Sequence, residues 1–149
     1  MDQTNDVVER RFRIEGPVDV PDRSMTKLAL VPGSGPETGV RCEGGALHFE
    51  VVGWYEVMLE VAWDPGVVGG TRFAHSKVPG QQPLHSEAID AAVLAQISEG
   101  RQLLRGNTVF GHDHTSTLVL EVWQDSGGPV RVSQADLVVR ELQVPWSPG

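Results

Sequence analysis

Residues Gly53–Trp63 read GWYEVMLEVAW, and their rhythm decides the fold. Tyr55, Val57, Leu59, Val61 and Trp63 alternate with Trp54, Glu56, Met58, Glu60 and Ala62. The first row is wholly apolar or aromatic, and the second carries both glutamates. Alternate residues of a strand point to opposite faces, so a period of two predicts a strand with one face in a core and one partly wet. Asp64-Pro65-Gly66 supplies the turn that ends it.

The same grammar extends in both directions. Thr115–Gln124, TSTLVLEVWQ, alternates with Leu118, Leu120 and Val122 on one side and Val119, Glu121 and Trp123 on the other. Thr26–Val31, Gly39–Glu43, Ala46–Val51 and Thr71–Lys77 read as further strands. Arg101–Leu104, Thr108–Phe110, Val130–Ser133 and Ala135–Val144 add shorter pieces. Gly44-Gly45 between two alternating runs is a hairpin signal, and Asp125-Ser126-Gly127-Gly128 is a turn. Residues 86–99, SEAIDAAVLAQISE, break the rhythm. Ile89, Val93 and Ile97 fall four apart, so the segment reads as a short helix capped by Ser86 and closed by Gly100, with a strand as the alternative. About ten short strands and at most one helix predict an all-β, jelly-roll sandwich, because a parallel α/β sheet needs repeated helical crossovers.

The chain has 149 residues, of which 40% are hydrophobic, enough for one core. Residues 1–20 read as an N-terminal arm or edge strand and 21–149 as a single jelly-roll domain. A formal net charge of -8 argues against nucleic acid and anionic membrane surfaces as partners, since both need clustered cations. No apolar run approaches a membrane span, and the first residues lack a basic start followed by an apolar stretch. The default expectation is a soluble, cytoplasmic protein. Cys42 is the lone cysteine, so it reads as a small core residue and excludes an internal disulfide.

Two stretches carry a resemblance. GWYEVMLEVAW followed by Gly70-Thr71-Arg72-Phe73 resembles the central pattern of the tumour necrosis factor and complement globular-head superfamily. LVLEVWQDSGGPVRVSQADLVVREL resembles its final hairpin, with an apolar strand, a Q-x-S-G turn and a last alternating strand. The resemblance spans roughly residues 38–144. It implies a ten-stranded jelly roll that assembles as a homotrimer, a binding module rather than an enzyme, of the bacterial or phage type. It transfers no ligand residue.

Several side chains are candidates for chemistry. His112 and His114, at i and i+2, would share one face of a strand and could hold a divalent metal together with Glu121. This resembles part of the pattern of cupins, a second jelly-roll family, and implies a metal-dependent enzyme as the alternative function. No histidine follows His114, so a further ligand would have to come from His48, His75 or His85. No other cofactor is expected. A third reading is a small-sugar-binding lectin in which Arg72, His75 and Gln81 line a ligand loop. No serine sits in a G-x-S-x-G elbow. Glu56 and Glu60, four apart on a strand, are too widely separated for paired-carboxylate hydrolysis. Trp54, Met58 and Trp123 share strand faces with glutamates. Large rings on a half-wet face predict an oligomer interface.

Overall fold

Gly53–Trp63 forms one unbroken strand, and its inward row from Tyr55 to Trp63 is exposed by 2% or less. A computed structural model describes residues 8–36, 38–79, 83–110 and 116–142. In chain order the strands are β1 (Val8–Ile14), β2 (Val18–Val20), β3 (Thr26–Leu28), β4 (Leu30–Ser34), β5 (Val40–Glu43), β6 (Ala46–Phe49), β7 (Gly53–Trp63), β8 (Thr71–Lys77) and β9 (Pro83–Asp90). The helix α1 (Ala91–Ser98) follows, then β10 (Arg101–Phe110), β11 (Ser116–Gln124) and β12 (Val130–Leu142).

These strands make two antiparallel sheets. The first runs β10-β7-β12-β1-β4, with β2 also on β12; the second runs β5-β6-β11-β8-β9, with β3 also on β11. The inward rows of the two sheets meet in one core that includes Phe12, Leu28, Phe49, Leu118, Leu120, Leu137 and Val139. This is the sandwich that the alternation predicts. Leu28 and Leu30 are both buried, yet β3 pairs with the second sheet and β4 with the first. The chain therefore crosses between sheets at Ala29. Gly44 and Gly45 both have positive φ, 63° and 79°, as a two-residue hairpin turn between β5 and β6 requires.

Several boundaries differ from those read in the sequence. Residues 86–99 are strand and helix in succession. Ser86 pairs with His75 in the β8–β9 ladder, so it is not free to cap. Asp90 does so instead, its carboxylate accepting from the backbone N–H groups of Ala92 and Val93. The first residues described are not an arm. β1 lies between β12 and β4 and is paired on both sides. Arg101–Phe110 is a single strand because it pairs with β7 along its full length, and tertiary pairing joins the two short pieces read in the sequence. No helix among the described residues is long and apolar enough to cross a membrane.

Candidate functional site

The outward face of the first sheet is the most distinctive surface. Alternation along β7 turns Trp54, Glu56, Met58 and Glu60 away from the core. Register sets Arg105, Met58, Val138 and Arg11 in one row across four strands, and Asn107, Glu56, Arg140 and Glu9 in the next. Met58, Val138 and Leu103 form an apolar patch, with Leu103 65% exposed. Together with Arg11, Glu60 and Arg105 they line a shallow depression of about 520 Å³.

A ladder of ion pairs crosses this face. Arg105 lies 3.4 Å from Glu56, Glu56 lies 3.8 Å from Arg140, and Arg140 donates to Glu9 at 3.0 Å. Glu9 also accepts from Arg11. The hydrogen bond from Arg140, then that from Arg11, holds the Glu9 carboxyl below its ordinary range. Exposed pairs of this kind add little stability, so the ladder does more to set the pattern of charge than to hold the fold. Ten of the twelve cationic side chains are arginine, and Arg11, Arg13, Arg101, Arg105 and Arg140 lie on the outward rows of this sheet. Arginine and methionine beside an exposed tryptophan are residues enriched in protein interfaces.

Trp54 and Met58 thus share one face, but Trp123 does not join them. It lies on the outward row of β11 in the second sheet, opposite Phe73. The three residues expected in one interface occupy opposite sides of the sandwich. The reason is topological: β7 and β11 are core strands of different sheets.

The expected ligand loop is also redistributed. Arg72 lies in β8 and is 1% exposed, with its guanidinium donating to the carbonyls of Val67 at 2.7 Å and Gly69 at 2.9 Å. It stacks 5.6 Å from the Trp63 ring. Its work is to close the 66–70 turn over the core. Burial lowers its pKa, partly offset by Asp125. His75, 5% exposed, is likewise in β8 and offers no free loop group. Gln81 lies outside the described residues.

His75 instead meets a residue from the expected metal set. Its Nε2 stands 2.8 Å from Glu121 Oε1, and Lys77 approaches the same oxygen at 3.5 Å. Burial opposes ionisation of Glu121, yet the His75 hydrogen bond and the Lys77 charge outweigh it and hold the pKa low. Glu121 is therefore engaged within its own sheet. His112 and His114 lie outside the described residues. No group of three metal-ligating side chains occurs among the described residues. A second histidine, the half-buried His85, bonds Ser76 Oγ through Nε2. The β8–β9 register that places it there has no local sequence signal.

No protein-family model matches the sequence, and no curated protein is detectably similar to it. Solved structures are similar in fold. PRD1 vertex protein P5 superposes with a TM-score of 0.64 at 12% identity, over 95% of this chain and 99% of that one. Murine APRIL, crystallised at pH 5.0, gives 0.62 at 12% identity over 92% and 100% of the two chains. Eiger TNF from S. frugiperda gives 0.51 at 13% identity over 96% and 97%. Likeness at this identity carries the fold alone, and that fold is the jelly roll of tumour necrosis factor-like proteins.

Proposed function

We propose that the chain is a non-enzymatic binding or assembly module that works as a homotrimer. The observation that carries this reading is the first sheet's outward face, where exposed Trp54 and Leu103 and half-buried Met58 and Val138 lie among arginines. A second exposed apolar set stands at the open side of the sandwich, where α1 joins β9 to β10. Val93 and Ile97 are 45% and 67% exposed there. An apolar edge and an apolar face on different parts of one subunit suit a head-to-tail contact, and such contacts make a ring where the rotation between subunits closes. The tumour necrosis factor-like fold of the structural neighbours supports the same number of subunits.

Light scattering of the full chain tests it. A particle three times the 16.2 kDa subunit mass is expected at micromolar concentration. A monomer would sink the reading.

A further inference from the structure

β9 and β10 are the terminal strands of their sheets on the same side of the sandwich, and they lie against each other. His85 stands in this seam. Its Nε2 is 3.1 Å from Ser76 Oγ on β8. Its Nδ1 is buried and has no hydrogen-bond partner. The facing residue on β10 is Gly106, and a β-carbon added there would stand 2.8 Å from Nδ1. The imidazole therefore occupies the space that a side chain at position 106 would need, and Nδ1 faces backbone that offers it no acceptor.

The charged groups on the strands packed around His85 are His75 and Lys77 of β8, Glu87 of β9 and Arg105 of β10. All four have other partners. Lys77 pairs with Glu121, Glu87 accepts from Gln102, and Arg105 pairs with Glu56. The fourth, His75, bonds Glu121 and disfavours a charge on His85. Among the described residues no carboxylate is ion-paired with His85. Burial, then the proximity of His75, pushes the His85 pKa down to about 4. A proton arriving on the buried Nδ1 has neither a hydrogen-bond acceptor nor a counter-charge, and a cation in that position is strongly disfavoured.

We propose that His85 is a proton-operated latch on the β9–β10 seam: neutral, it wedges the two edge strands together, and protonated, it parts them. Where the proposed trimer assembles through this edge, acid also loosens the subunit contact. The device needs no ligand and no movement elsewhere in the sandwich.

Amide exchange of the full chain, compared at about pH 7 and about pH 4, tests the latch directly. His85→Gln keeps a polar group for Ser76 and takes up no proton. Acid should lower the protection factors of residues 83–90 and 101–107, corrected for the slower intrinsic exchange at low pH, at least about tenfold more in the wild type than in the variant, with the ladder between β1 and β12 still protected. An equal acid response in both proteins, or loss spread evenly over both sheets, overturns the proposal. Ring-proton NMR of His85 gives a reading that depends on no variant. A midpoint well below that of free histidine supports the latch, and one at or above about 6.5 overturns it. Light scattering under the same conditions reads the subunit contact separately. A seam that opens in acid while the mass holds would overturn only the link to assembly.

Discussion

The indole Nε1 of Trp63 donates to Oε1 of Gln102 at 2.9 Å, tying the end of β7 to the neighbouring strand β10. Gln102 passes the connection on, its Nε2 donating to the backbone carbonyl of Glu87 at 3.0 Å. Arg72 closes the group from below the ring. Four distant segments thus meet at one corner through polar atoms that are otherwise buried.

This corner makes the first prediction. Arg72→Leu removes a cation that satisfies two turn carbonyls, and leaves those acceptors without a partner. A loss of about 2–4 kcal/mol is expected in denaturant unfolding. Arg72→Lys should recover only part of it, because an ammonium cannot reach both carbonyls while stacking on the ring. Unchanged stability in the leucine variant would refute this role.

Gly106 gives a second. Gly106→Ala drives a β-carbon to 2.8 Å from His85 Nδ1 and 3.3 Å from Leu84 Cγ, so overpacking should cost about 1–3 kcal/mol. His85→Ala vacates the space. The double variant should then be more stable than the sum of the two single losses predicts, by at least about 0.5 kcal/mol in a double-mutant cycle.

The helix cap is a third. Asp90→Ala should lower stability by about 1 kcal/mol, and Asp90→Asn by much less, since asparagine caps almost as well. Ser86→Ala should be near neutral, because its side chain is exposed and its backbone belongs to a ladder. Equilibrium unfolding of the three variants separates the two candidate caps.

Acid sensitivity is a fourth. His85 has a depressed pKa in the folded chain, about 4 against 6.5, so the unfolded chain binds the proton more tightly. Its contribution to stability is complete above about pH 6.5 and declines as the pH falls toward about 4. Glu121, also held low, adds a further loss as the pH drops below the ordinary carboxylate range. Stability measured against pH should therefore fall on the acid side, and His85→Gln should flatten the upper part of that fall.

The outward face makes the fifth. Met58→Glu or Leu103→Glu should shift the mass in solution toward the single subunit without altering the circular dichroism, since neither side chain belongs to the core. A Trp123→Glu variant should leave the mass unchanged, because Trp123 lies on the other sheet.

The strands were legible wherever one face is buried, because burial imposes a period of two on the residues themselves. β7 and β11 show this most clearly. In the segment 86–99 the expected short helix is present at Ala91–Ser98, but its start is displaced for an instructive reason. Ile89 faces the core from a strand, whereas Val93 and Ile97 face outward from a helix, and the helix buries Ala91 and Leu94. A fourfold spacing of apolar residues was therefore assembled from two elements with unrelated orientations. Contacts between distant segments left no local trace. His75 and Glu121 are 46 positions apart, and only the β8–β11 register brings them together.

The final strand has a consequence for how this chain comes into being. β12 sits in the middle of the first sheet, with β7 on one flank and β1 on the other. Until it arrives, β10–β7 and β1–β4 are separate ribbons with open edges. On the ribosome, β1 must wait for every strand between it and β12 to be made before it gains the partner at Arg10↔Val139 and Phe12↔Leu137. Closure is then a late, long-range event of the kind that makes folding slow and truncated products sticky.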